Sequence, residues 1–197
     1  MSRQLILVRH GQTEHNIAGI AQGWGDSALS VSGREQVLRL AERLQSLSPT
    51  ALYCSPLGRA RATAQAIADR TGLPIVEVEE LREMNYGGWE GRSFLDVRRE
   101  DEAGYQQWIS EAEACCPDGE SHAGVRRRLE QVFSRINDDR AVLVSHGTAI
   151  RIAVTALLDV PVMTSRHFAQ DNAAINIFDW RAGRWVMKIW NDATHCA

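Results

Sequence analysis

Four short runs of strand type constrain the fold of this chain more than any other feature: Leu5–Val8, Ala51–Cys54, Ile75–Val78 and Ala141–Val144, the third interrupted only by Glu77. A strand with one solvated face alternates apolar and polar residues, whereas a continuous apolar run indicates cover on both faces. The stretches between the runs carry helical spacing. Val37, Leu40, Ala41, Leu44 and Leu47 form an apolar stripe, with Ser32 and Glu35 placed as a capping box at its start. The Ala-rich segment Leu57–Thr71 stops at Gly72, with Pro74 beyond it. A third stripe, Val125, Leu129, Val132, Phe133 and Ile136, follows Ser121, which reads as a helix N-cap.

Strands alternating with helices predict a three-layer α/β/α domain with a mostly parallel central sheet and helices on both faces. AINIFDW, then RAG, then RWVMKIW predicts a C-terminal β-hairpin. The segment from about 92 to 120 is polar, carries Phe94, Tyr105 and Trp108 and lacks strand signals. It reads as a small helical cap insert within one domain spanning 1–197.

At 197 residues and 44% hydrophobic composition the chain can bury a core without covalent staples. A net charge of -3 argues against nucleic-acid or membrane-surface partners. Lys188 is the sole lysine among 22 basic residues, so the available cations are arginines, whose planar fork suits oxyanions. Cys54, Cys115, Cys116 and Cys196 have no C-x-x-C spacing, and neither a signal-like N-terminus nor a membrane-length apolar run is present. The expectation is a reduced, cytoplasmic protein; the oligomeric state is open, a homodimer being one option.

In an open α/β sheet, ligands sit beyond the carboxyl ends of the strands. Polar residues follow each run there: Arg9-His10-Gly11, then Ser55 and Arg59, then Glu83, then Ser145-His146-Gly147. Each has an ordinary structural explanation alone. Their joint appearance at successive strand ends points to a site.

The set LVRHGQTEHN, SPLGRARATA, LREMNYGGWEG and VSHGTAIR, in that order, resembles the histidine phosphatase superfamily, the phosphoglycerate mutase-like fold. The resemblance implies that His10 is the nucleophile receiving a phosphoryl group, that Arg9, Asn16, Arg59 and Gly147 bind the phosphate, and that His146 is the second catalytic histidine. It places Glu83 as the proton donor of the phosphatase branches and Gln22-Gly23 on the loop touching substrate. It further implies a small-molecule phosphomonoester as substrate, with no metal and no cofactor.

The chemistry is consistent with these roles. Phosphoryl transfer needs positioning and charge stabilisation, which guanidinium groups supply in bidentate form. A neutral His10 attacks through one ring nitrogen while the other donates to an acceptor that fixes the tautomer. The same residues also fit other chemistries. His10, His146 and a carboxylate suit a metal hydrolase, although Arg9 and Arg59 would repel the cation. GESHAG, Gly119–Gly124, imitates a serine nucleophile elbow but lacks its glycine spacing and preceding strand. A phosphate binder without activity would not need His10 or Glu83. A mutase is the nearest alternative, yet Phe94 stands where the resemblance places a mutase lysine. Finally, Leu95–Glu120 holds eight acidic and two basic residues. If that field reaches the pocket, substrates with a second anionic group are disfavoured.

Overall fold

The computed structural model describes residues 3–197. The chain enters through β1 (Gln4–Arg9) and turns into α1 (Glu14–Ala18), where the Thr13 hydroxyl accepts from Asn16 N and Asn16 Oδ1 accepts from Thr13 N. α2 (Val31–Ser46) starts earlier than its stripe suggested. Ser30, not Ser32, is the cap, its Oγ accepting from Gly33 N at 2.9 Å. The reason is tertiary: Ser30 is tied through its backbone N and its hydroxyl to Gln12 in the turn after β1, so the helix begins where that turn holds it.

β2 (Ala51–Cys54) and α3 (Gly58–Thr71) follow, the helix ending at Gly72 in the left-handed region at φ 75°. After β3 (Ile75–Glu77) come α4 (Phe94–Glu100), capped by Ser93, and α5 (Glu102–Ser110), capped by Asp101. α6 (His122–Arg135) has Ser121 as its cap, as read from the sequence. β4 (Arg140–Ser145), α7 (Gly147–Leu157), β5 (Ile175–Arg181) and β6 (Arg184–Asp192) complete the chain, the last two strands forming the expected hairpin.

Among the described residues the strands form one six-stranded sheet in the order β3-β2-β4-β1-β5-β6. β3, β2, β4 and β1 run parallel, whereas β5 joins β1 antiparallel and β6 follows it. Period-two geometry sends alternate residues to opposite layers. Leu5, Leu7, Ala141 and Leu143 pack with α6, α7 and the aromatic cluster of the 94–108 region. Ile6, Val8, Val142 and Val144 pack with α2 and α3. Both faces of β1 and β4 are therefore covered, as their unbroken apolar runs imply; β3 departs from that expectation, because it is an edge strand and leaves Val76 and Glu77 exposed.

The parallel register opposes Arg9 to Ser145, and His10 N donates to Ser145 O at 3.1 Å, while Ser55 N donates to Val144 O at 2.9 Å. Three strand ends thus meet at one edge of the sheet. The turn after β1 also lies hard against α2: a Cβ on Gly33 would stand 1.9 Å from Gln12 O, and one on Gly11 would stand 2.7 Å from Gly33 O. Gly33→Ala must push this turn away from the helix. We expect a loss of about 1–3 kcal/mol in urea unfolding, in the range of overpacked cores, together with impaired function at the neighbouring strand end.

Candidate active site

Beyond those strand ends lies a cleft of about 240 Å³ lined by Arg9, His10, Asn16, Gln22, Gly23, Arg59, Glu83 and Gly147. Eight of the nine residues singled out from the sequence therefore share one cavity. The ninth, His146, is buried behind it, its ring 5.1 Å from that of His10 and its Nε2 2.8 Å from Ser55 Oγ.

His10 Nδ1 lies 2.7 Å from Gly11 O. A carbonyl only accepts, so Nδ1 carries the proton and Nε2 keeps its lone pair. Burial, reinforced by the Arg59 and Arg9 charges, holds the His10 imidazole well below the usual histidine range. The ring is thus a neutral base at ordinary pH.

Arg59, the largest fully buried side chain, donates through Nη1 to Gly25 O at 2.7 Å and through Nη2 to Gly23 O at 2.8 Å, and also meets Asp26 Oδ1 at 3.2 Å. Gly23 is required at this loop: φ is +54°, and a Cβ would run into the Glu90 carboxylate. Arg9 donates to Gln170 O at 2.5 Å. Among the described residues, Arg9 Nε, Arg59 Nε, Gln22 Oε1 and both amide atoms of Gln170 are buried without a hydrogen-bond partner. Buried polar groups are normally satisfied, so a concentration of uncommitted ones around one cleft marks a place built for a polar ligand.

Asn16 Oδ1 accepts from Thr13 N and, at 3.0 Å, from Asn172 Nδ2. With its oxygen occupied, Asn16 has its amide N–H groups left for the cleft. Glu83 is held by three backbone donors: Met84 N and Ala149 N to Oε1, and Thr148 N to Oε2 at 3.0 Å. Two of these belong to the first turn of α7, whose positive end suits a carboxylate. Oε2 takes one N–H and keeps a lone pair for a proton.

Several contributors were not identified from sequence. Arg128 on α6 donates to the carbonyls of Glu80, Arg82 and Glu83 while paired to Glu120, and so braces the segment carrying Glu83. Within the run Arg126-Arg127-Arg128 nothing distinguished it from a solvated charge. Asn172 and Gln170 precede the hairpin, far from the motifs. Arg151 had a usable signal: it is four residues after Gly147, on the same helix face, and it lines the cleft.

One expectation is overturned. Among the described residues no carboxylate between Leu95 and Glu120 lines the cleft. Asp96, Glu100, Glu102, Glu113 and Glu120 pair with Arg99, Arg92, Arg98, Arg127 and Arg128, while Asp101 caps a helix N-terminus. Five of the eight carboxylates are thus ion-paired among the described residues and none lines the cleft, which itself carries three arginines, Arg9, Arg59 and Arg151, against Glu83 alone.

Burial and nearby guanidinium groups lower the proton affinity of four histidines: His10, His146, His195, and His122, which is pushed down to about 4. Unfolded histidines titrate near ~6.5, so below that pH the unfolded chain binds more protons than the folded one. Their stabilisation is full above about pH 6.5 and is lost as pH falls toward the folded values. Urea midpoints measured between pH 7.5 and 4.5 should decline, and His122→Phe should flatten the decline.

Comparison with known proteins gives the chain its relatives. The model of the histidine phosphatase superfamily (branch 1) matches residues 5–193. A protein named probable phosphoglycerate mutase GpmB, from Erwinia tasmaniensis, is 34% identical over 98% of this chain and 94% of its own. The solved mycobacterial glucosyl-3-phosphoglycerate phosphatase superposes with a TM-score of 0.87 at 30% identity, covering 96% of this chain and 99% of its own. The alpha-ribazole phosphatase from Shigella flexneri does so with 0.87 at 28%, covering 96% of each chain. With the family's pattern matched over nearly the whole length, the chain belongs to the histidine phosphatase superfamily.

Proposed function

We propose that the protein is a metal-independent phosphatase that hydrolyses a small phosphomonoester through a phosphohistidine at His10. The observation that carries this reading is the pairing of His10 Nδ1 with Gly11 O, which leaves Nε2 as a lone-pair nucleophile inside a cationic cleft. Arg9, Arg59 and the Asn16 amide hold the phosphoryl oxygens. Nε2 attacks phosphorus, the P–N bond forms and the ester P–O bond breaks, and Glu83 gives its proton to the departing oxygen. Glu83 then takes a proton from water, whose oxygen displaces His10 and releases phosphate. Buried His146, beside His10, bears on the same phosphoryl group and takes its orientation from Ser55. Residues 1–197 act as one domain, with about 92–120 capping the cleft through Phe94.

Curated relatives carry a mutase name, whereas structural neighbours are phosphatases. Phe94 favours hydrolysis: it lines the cleft and stacks on Trp108 at 5.6 Å, an apolar ring where the family resemblance places a mutase lysine.

Rapid alkaline quench after mixing with substrate should trap a base-stable, acid-labile phosphoprotein that His10→Ala lacks. Label on a serine or aspartate would overturn the mechanism. Turnover should persist in excess EDTA, and a coupled assay should detect no appreciable interconversion of phosphoglycerates. Glu83→Gln should slow alkyl phosphates by about 10²–10⁴-fold, the usual value of general acid catalysis, and p-nitrophenyl phosphate much less, because that leaving group departs without a proton. Equal losses on both would assign Glu83 another role.

A further inference from the structure

A second cavity of about 210 Å³ opens beside the cleft, and the two share Phe94, Thr148 and Arg151. Tyr105, Trp108, His122 and Arg166 line its far side. Among the described residues its lining contains no carboxylate, and neither Arg151 nor Arg166 forms an ion pair. Arg151 donates to Thr148 Oγ1 at 2.8 Å and Arg166 to Ile109 O at 2.5 Å, so both guanidinium groups are oriented but not neutralised. Trp108 Nε1 and His122 Nδ1, both on buried side chains, have no hydrogen-bond partner among the described residues. The fields of Arg151 and Arg166 reach His122, adding to the burial that lowers its proton affinity.

The connection to the chemistry runs through Thr148. Its N–H holds Glu83 Oε2, and its hydroxyl meets both Tyr86 OH, at 2.7 Å, and Arg151. The group that protonates the leaving oxygen and the arginine at the joint of the two cavities are therefore fixed to one residue. Glu83 and Arg151 both line the cleft, and Arg151 also lines the second cavity.

We propose that this second cavity is the leaving-group pocket, and that Arg151 selects phosphomonoesters whose alcohol portion is a flat or apolar body bearing an anionic group. The proposal rests on the phosphatase reading above and specifies its substrate class. The aromatic walls take the body, and the guanidinium fork takes the planar oxyanion.

The test uses three aryl esters with the same ring: phenyl phosphate, 3-carboxyphenyl phosphate and 3-(aminomethyl)phenyl phosphate, with 3-phosphonooxyphenyl phosphate to separate carboxylate from a second phosphate. kcat/KM should rank carboxylated above plain above cationic, the carboxylate gaining about 10- to 100-fold, the range of a hydrogen bond to a charged group. Arg151→Met should reduce the carboxylated-to-plain ratio to near unity, and Arg151→Lys should restore part of it, mainly through KM. Higher salt should narrow the wild-type ratio. Release of phosphate from none of the esters would overturn the phosphatase reading itself. Equal kcat/KM for plain and carboxylated esters in the wild type, or a preference that survives in Arg151→Met, would overturn the leaving-group pocket and leave hydrolysis at His10 standing. The wild-type ranking decides the charge preference whether or not either variant folds.

Discussion

The register between β1 and β4 is the constraint on which the site depends. Pairing Arg9 with Ser145 sets the next residues, His10 and His146, side by side at adjacent strand ends. A slip of one residue in either strand would exchange its two faces, turning Leu7 or Leu143 toward α2 and α3 and withdrawing one histidine from the other. The register is held by hydrophobic layers on both sides, Leu5 and Leu7 against one and Ile6 and Val8 against the other. Burial of ordinary aliphatic residues thereby fixes the placement of the two imidazoles.

Around these rings the protein combines two kinds of polar group. Some are held by most of their capacity: Glu83 accepts three backbone N–H bonds, leaving one lone pair on Oε2, and Asn16 Oδ1 accepts two donors. Others are held in place by part of their hydrogen-bonding capacity and keep the remainder available, as with Arg9, which donates to Gln170 O while its Nε has no partner among the described residues. The committed groups supply rigidity and the partial ones supply affinity. Burial alone would penalise such a cluster of cations; Glu83, and Asp26 where it pairs with Arg59, offset only part of it. A dianionic phosphate has the charge to balance the rest.

Much of this was legible in the sequence, for identifiable reasons. The strand runs announced a sheet covered on both sides, and motifs at successive strand ends named residues that the topology then gathers into one cleft. What sequence could not reveal acts through long-range backbone contacts. Arg128 braces Glu83 by donating to main-chain carbonyls, which any residue type presents, and Asn172 reaches Asn16 across 156 positions. Helix α2 begins at Ser30 because of Gln12, a tertiary tie with no local signature. The acidic segment misled for a related reason: counting charges in sequence carries no direction, and the arginines that neutralise Glu113 and Glu120 lie on α6.

Arg59 illustrates what such anchoring means for turnover. A free arginine on a surface samples many rotamers, and fixing it costs up to about 2 kcal/mol of side-chain entropy. Here the Gly23 and Gly25 carbonyls and Asp26 already immobilise the guanidinium. The ordering is completed once, when the chain folds, and an anion entering the cleft meets a charge that has no further search to make. For the phosphoryl transfer proposed above, that alignment is in place before each cycle starts.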